Sequence, residues 1–487
     1  MKRIEIFLLS AILVAAFIAR LYRFDNPIAD WHSWRQVDTS AVSRNFVKQG
    51  FDVLRPRYDD ISKIQTGVPN PEGYRFVEFP IYNALQAGAY IVFDYFTLEE
   101  WGRLVTILFS LSGVAFLYLI VRRKSDSVVA LLAAFFYAFL PYSIYFGRTI
   151  LPDPAMTATI LGGIYFFDLW VEESIKYKVF SIKYLLFFAL AVVFTASALL
   201  LKPFAVFFTL PMIYLVYEKF GFWFVKKWQL WLFLCLSVLP LIVWRSWIQN
   251  YPEGIPASSW LFNGDSIRFK GAFFYWIFAD RIGRLILGYW GLAIFVIGIL
   301  ANSKKQHLKK QGLFFYSFLL SSFLYLVVVA KGNVQHDYYQ ILIVPSLALF
   351  LGLGARMLFY PPKEFILPIV GRGMLAVCTV FTFLFGWYFV RDFFNINNSA
   401  IVEAGDIANA KLPQDAKVIA PYGGDTTLLY YVNRKGWPVF DDSIEGFLRK
   451  GANYLVIVNP TKSDFDGFGQ DFEKVASSDK YLILKLQ

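Results

Sequence analysis

The chain has 487 residues, 57% hydrophobic, 20% aromatic and only 17% charged, and its mean hydropathy is +0.49. Globular domains are roughly 45–50% apolar and about 25% charged, so this composition excludes a disordered chain, a coiled coil, a collagen and a disulfide scaffold. The net charge of +11 is no nucleic-acid surface: residues 391–487 carry 11 Lys/Arg against 13 Asp/Glu, and the excess elsewhere collects in short loops between apolar runs, which is a topology signal.

In chain order, apolar runs predict eleven membrane spans, near 4–20, 103–121, 127–146, 154–171, 183–201, 203–217, 229–247, 284–301, 313–330, 339–356 and 372–390. Each approaches the roughly 17–25 residues that cross a bilayer core. The first has no small-residue cleavage site before Arg20-Leu-Tyr-Arg23, so it reads as a retained helix. Lys/Arg are dense in one set of loops (Lys2/Arg3, Arg122/Arg123/Lys124, Lys176/Lys178, Lys219/Lys226/Lys227, Lys304/Lys305/Lys309/Lys310, Arg356/Lys363) and sparse in the other. The dense set is predicted to be cytoplasmic, with the N-terminus inside and the C-terminus outside. His307 lies among those lysines and reads as a solvated surface residue. Cys235 and Cys378 fall in apolar runs, without metal or redox spacing, and read as inert thiols buried in the membrane.

Residues 22–100 form one large outer loop. Segment 79–96 tempts a twelfth span, but Asn83, Gln86 and Asp94 and the charge distribution favour a helix in the outer interface. A second short helix is predicted at 38–49. From 397 the chain changes character: 417–424, 437–442 and 452–460 read as strands, and 425–436 and 443–451 as helices, together a small outer α/β domain. The predicted organisation is a helical membrane domain over 1–396 and an extracytoplasmic domain over 397–487. Gly423-Gly424 follows a strand without making a dinucleotide fingerprint.

Polar groups near a membrane are costly and tend to mark function. Here they gather at the predicted outer side. Asp30, His32, Trp34, Arg35, Gln36 and Asp38 follow span one; a carboxylate can serve as general base and an Arg fork suits phosphate, while Asp38 could equally cap the 38–49 helix. Glu78 precedes the interfacial helix and is either a helix-start charge or a ligand for a hard cation. Arg148 and Asp153 flank a Pro-stiffened turn; Asp153 could cap the next helix or pair in chemistry with an outward-facing Arg148. Lys202 lies between two spans, for snorkelling or a lipid phosphate. His336, Tyr338 and Tyr339 enter span ten, where Tyr is also an ordinary belt residue. No Walker loop, zinc-protease motif, nucleophile elbow or kinase set is present, so no nucleotide cofactor is expected.

This pattern resembles the membrane glycosyltransferases of the GT-C superfamily. The likeness is to the dolichyl-phosphate-mannose–protein mannosyltransferase-like group (glycosyltransferase families 39 and 83), which includes the lipid A aminoarabinose transferases. It covers residues 1–390; the C-terminal domain matches in position only. Asp38 to Arg44 with Gly50-Phe-Asp52 and Pro56 resembles the family's acidic and Ala-Arg run. Glu78-Phe79-Pro80 resembles its Glu-Lys-Pro, with Phe79 in place of the Lys. Asp153 resembles its second outer acid, Leu200-Leu201-Lys202-Pro203 its Leu-Thr-Lys-Gly, and His336-Asp337-Tyr338-Tyr339 with Pro345 the segment around its late Tyr and Pro. Counted back from Arg44, the family's Asp-Glu pair falls on Arg35-Gln36, so the base is Asp38 or Asp30, with Asp38 preferred one helical turn away.

The resemblance implies sugar transfer from a polyprenyl-phosphate-linked donor to an acceptor at the outer face of a bacterial plasma membrane. Protein, lipid and cell-envelope glycans are the acceptor classes it allows. Arg35, Arg148, Lys202, Tyr338 and Tyr339 would meet the donor phosphate. A divalent metal on Glu78 and His336 is suggested. Asp38, Asp153 and Asp30 are the catalytic candidates, and His32, Trp34 and Gln36 would contact substrate. Direct attack predicts inversion. The rival reading is a transporter or lipid flippase, which would place acids near mid-membrane in paired halves.

Overall fold

In a computed structural model of the chain, residues 2–176, 181–304, 309–362 and 366–487 are described. His307, Lys178, Lys305 and Lys363 lie outside them. The chain divides into two compact units: one of Met1–Tyr22, Leu104–Val243 and Ser258–Asp392, the other of Arg23–Arg103, Trp244–Ala257 and Phe393–Gln487.

The first unit is helical. Among the described residues of the whole chain, seven helices are long and apolar enough to cross a membrane: Leu98–Lys124, Pro152–Ser174, Ile182–Leu201, Pro203–Lys226, Trp228–Ile248, Asp337–Phe359 and Pro368–Lys411. An eighth appears if Gly271–Ile286 and Gly291–Ala301, bent by 109°, count as one span. This is an integral membrane protein, with fewer spans by that measure than the eleven expected. Arg3–Arg20 carries three charges, and Ser127–Phe139 and Gly312–Val328 are short. Proline explains the shortest: Leu140 leaves helical geometry and Pro141 starts a new helix, Pro141–Phe146, so the expected 127–146 span is broken. Helices Gly291–Lys304 and Val344–Phe359 cross where a Cβ on Gly298 would run into the Phe350 carbonyl oxygen, and one on Gly354 into that of Ile294. Small residues let membrane helices approach this closely. Cys378 is buried within the protein, and Cys235 lies on the surface of the apolar helix Trp228–Ile248.

Basic residues read from sequence as topology markers also hold ion pairs in this unit. Arg122 meets Glu5 at 3.2 Å; Arg123 and Lys124 meet Asp168 at 2.6 and 2.7 Å.

The second unit joins the first long loop to the C-terminal region. Its sheet has strands β1 (Val418–Ile419), β2 (Gly436–Trp437), β3 (Tyr454–Val458), β4 (Glu473–Ser477) and β5 (Tyr481–Lys485), in the order β2-β1-β3-β5-β4. β1 runs parallel to β2 and β3, and β5 antiparallel to β3 and β4. Helix Ser399–Lys411 packs Ile401, Ala404 and Ala408 against Val418, Leu429, Val456 and Ile483. On the other face Ile61, from the first long loop, packs with Ile419, Trp437, Phe447 and Leu455. Asp60 bridges Gly436 as an added strand would. The strands expected at 417–424 and 452–460 and both expected helices are present in shorter form; the strand expected at 437–442 is replaced by Gly436–Trp437, which shares only Trp437 with it, and helix 399–411 and the β4–β5 hairpin were not foreseen. The sequence boundary at 396/397 is corrected accordingly: loop residues 23–103 share a core with the tail.

Two helices of this unit carry candidate residues. Ser33–Gln49 starts five residues before the expected 38, with His32 left-handed (φ 55°) at its N-cap position. Asp38 therefore sits inside the helix and is no cap. Ile81–Val92 lies within the expected 79–96 segment. Asn83 donates to the Thr39 carbonyl (2.6 Å) and Gln86 to that of Leu98 (2.9 Å). Two of the three polar groups that argued against a span there, Asn83 and Gln86, thus have protein partners.

Candidate active site

The 33–49 helix buries polar side chains almost along its whole length: Ser33, Arg35, Gln36, Asp38, Thr39, Ser40, Ser43 and Asn45. Buried polar groups must be paired; Gln36 and Thr39 find partners nearby, and Ser33, Arg35, Asp38, Ser40 and Ser43 find them in distant chain segments. Asp38, 1% exposed, accepts from Arg75 Nη2 on Oδ2 (2.6 Å) and from Thr426 Oγ1 on Oδ1 (2.7 Å). Arg75 lies over the Tyr58 ring (4.8 Å) and donates to Gln65 Oε1. Tyr58 in turn donates to Asp60 (3.3 Å), which also accepts from the Ser62 amide (2.8 Å). Burial pushes the Asp60 carboxyl up to about 6, against the opposing pull of the Ser62 hydrogen bonds.

Beside Asp38, Arg35 Nη2 donates to both oxygens of Glu78, at 2.7 and 2.8 Å, and Nη1 reaches Thr39 Oγ1 at 3.2 Å. Arg35, Asp38, Arg75, Glu78, Pro56 and Asn83 line one small hollow. The same unit places Asp30 just ahead of the 33–49 helix: its Oδ1 accepts from Gln36 Nε2 (2.7 Å), and Gln36 also donates to the Trp31 carbonyl. Gln36 is thus a partner of the buried Asp30 carboxylate. His32 is half-buried between Trp31 and Trp34, at ring separations of 5.2 and 6.5 Å. Phe79, where the resembled family has Lys, meets Trp244 edge-on at 5.6 Å.

In the first unit, Asp153 and Lys202 come together. Lys202 Nζ donates to both carboxylate oxygens at 2.7 and 2.8 Å. It also lies 5.3 Å from the Tyr338 ring centre and 5.0 Å from that of Tyr339, within cation–π reach. His336 packs its ring against both tyrosines at 5.4 and 5.5 Å. Tyr142 donates to the Asp337 carbonyl (2.6 Å) and Tyr325 to that of Tyr339 (3.2 Å), which fixes this segment. Two expectations change here. Lys202 is buried in an ion pair rather than snorkelling. Arg148 is not outward-facing: it is wholly buried and donates to the Tyr22 carbonyl, because the turn before Pro152 folds inward.

The suggested metal does not fit this donor set. Glu78 is committed to Arg35, and among the described residues no group of three His, Cys, Asp or Glu side chains is placed to hold a metal ion. Sequence reasoning missed Arg75, Tyr58, Asp60 and Thr426. Arg75 stands three residues before Glu78, and the Asp59-Asp60 pair was a visible signal; Thr426 carried none.

Residues 79–247 match the family model described as Dolichyl-phosphate-mannose-protein mannosyltransferase. The structure of ArnT from Cupriavidus metallidurans bound to undecaprenyl phosphate superposes with a TM-score of 0.68 at 12% identity, covering 100% of this chain and 99% of that one. The Archaeoglobus fulgidus oligosaccharyltransferase in complex with Zn and sulfate matches with a TM-score of 0.58 at 12% identity, over 93% of this chain and 68% of that one. The oligosaccharyltransferase AglB from Archaeoglobus fulgidus, in complex with an inhibitory peptide and a dolichol-phosphate, matches at 0.56 and 10% identity, over 96% and 70%. No curated protein matches the chain. The chain has the fold of the ArnT structure over its full length.

Proposed function

We propose that this chain is a GT-C glycosyltransferase that moves a sugar from a polyprenyl-phosphate-linked donor to an acceptor at the outer face of a bacterial plasma membrane. One observation carries the reading: the full length of the chain follows a structure solved with undecaprenyl phosphate. In this mechanism the acceptor oxygen forms a bond to the anomeric carbon while the bond to phosphate breaks. The acceptor proton passes to Asp38, and polyprenyl phosphate leaves. Attack opposite the leaving phosphate inverts the anomeric centre.

Asp38 suits the base. Two accepted hydrogen bonds fix the plane of its carboxylate, and a carboxylate has about four lone-pair sites, so an acceptor hydroxyl can still be received. Within the first unit, Lys202, oriented by Asp153 and flanked by Tyr338 and Tyr339, is a buried cation of the kind that can meet a phosphate. Arg35 and Glu78 brace the Asp38 hollow. Arg148 Nη1 donates to the Tyr22 carbonyl and so also holds backbone.

The test is transfer by purified protein from a panel of radiolabelled polyprenyl-phosphate sugars, with and without chelator, beside Asp38→Asn. Sugar transfer by the wild type and its loss in Asp38→Asn are expected. Transfer from none of the donors, or full activity in Asp38→Asn, overturns the reading.

A further inference from the structure

The segment after β1 turns sharply at Gly423 and Gly424, whose φ angles are +63° and +88°. A Cβ on Gly424 would lie 2.5 Å from Ile64 Cδ1, so the turn closes tightly onto the first long loop. Helix Thr427–Val432 begins immediately after it. Asp425 caps that start, accepting from the Thr427 amide (2.8 Å) and hydroxyl (2.6 Å). The result is a latch along the 33–49 helix. Thr427 meets Ser33 at 3.1 Å, Tyr430 meets Ser40 at 3.0 Å, and Arg44 donates to the Tyr430 carbonyl at 2.8 Å. Arg44 also lies 3.9 Å above the Tyr430 ring.

Thr426 sits at the centre of this latch. Its hydroxyl has two acceptors within reach: Asp38 Oδ1 at 2.7 Å and the Trp34 carbonyl at 3.4 Å. A hydroxyl both donates and accepts, and its hydrogen rotates to suit. When Asp38 is ionised, the hydroxyl donates to it. When Asp38 has taken a proton, that proton can point to Thr426 Oγ1 while the Thr426 hydrogen turns to the Trp34 carbonyl. Arg75 cannot do this, because a guanidinium only donates.

Resting on the glycosyltransferase reading, we propose that Thr426 is a positioning residue of the transfer reaction. It holds the Asp38 carboxylate in one orientation and serves both of its protonation states. The C-terminal region thereby contributes a side chain to the machinery of the base, which no resemblance of the chain assigned to it. Thr426 acts through Asp38 and needs no contact with substrate.

Two variants separate this role from bulk structure. Thr426→Val keeps the shape and removes the hydroxyl; Thr426→Ser keeps the hydroxyl. Transfer kinetics should show kcat reduced roughly 10-fold or more in Thr426→Val, on the scale of one lost hydrogen bond to a charged group, with KM for the donor unchanged. Thr426→Ser should recover most of the rate. Thermal unfolding of Thr426→Val, Asp38→Asn and the double variant supplies a readout independent of transfer: the two sites should couple, so that the shifts do not add. A transferring wild type whose rate is untouched by Thr426→Val, a Thr426→Ser as slow as Thr426→Val, or additive thermal shifts overturns the positioning role alone. A folded wild type that transfers from no donor overturns the functional reading and this role with it.

Discussion

Lys202 grips both carboxylate oxygens of Asp153 although 49 residues separate them. Both side chains are buried. Removing one partner of a buried pair leaves an uncompensated charge, at a cost of about 3–5 kcal/mol, whereas replacing both together is often nearly neutral. Asp153→Asn and Lys202→Met are each expected to lower the unfolding temperature of the detergent-solubilised protein strongly. The double variant should regain most of the loss. Double-variant stability equal to the sum of the two losses would refute the pairing.

Arg35 holds both Glu78 oxygens with Nη2 and Thr39 with Nη1. A lysine at 35 keeps the charge and loses the planar fork. Arg35→Lys is expected to destabilise by about 1.5–3 kcal/mol, the worth of a charged hydrogen bond, as read from denaturant or thermal melts. The same melts examine the metal assignment. With Glu78 committed to Arg35, zinc or magnesium should leave the wild-type melting temperature unchanged. A rise with metal that disappears in Glu78→Gln would restore Glu78 as a ligand.

Asp60 makes stability depend on pH. Its folded-state value of about 6 lies above the ordinary 3.8 because burial disfavours the charged form. Between those values the folded chain holds a proton that the unfolded chain has released. Stability contributed by this group is therefore present below about pH 4, falls as pH rises towards 6, and levels off above. The span of roughly two pH units corresponds to about 3 kcal/mol at most. Asp60→Asn, which cannot ionise, should gain on the wild type between pH 4 and 6 in a pH series of melting temperatures. A difference between the two that is constant with pH would refute the assignment.

The membrane character, the basic loops and the residues worth watching were legible locally, since hydropathy and charge are properties of short windows. So were the 81–92 helix and the strand Tyr454–Val458 of the tail. The 33–49 helix was half legible. Its buried face is polar, so hydrophobic periodicity carries no record of the turn from Ser33 to Val37. For the same reason Asp38 looked like a cap. Arg148 looked outward-facing because a loop position says nothing about which way the turn folds.

Thr426 marks the limit of local reading. It is 388 residues from Asp38 and belongs to a segment that by itself reads as an ordinary strand-to-helix turn. The sequence alone determined a charge-poor, basic membrane protein with scarce polar residues in a few clusters, because composition and periodicity act over one span or one loop. Only the tertiary structure decided how those residues pair: Arg35 with Glu78, Lys202 with Asp153, Asp38 with Arg75 and Thr426. Burial makes each such charge costly until a partner arrives, and the partner comes from wherever the fold brings the chain back.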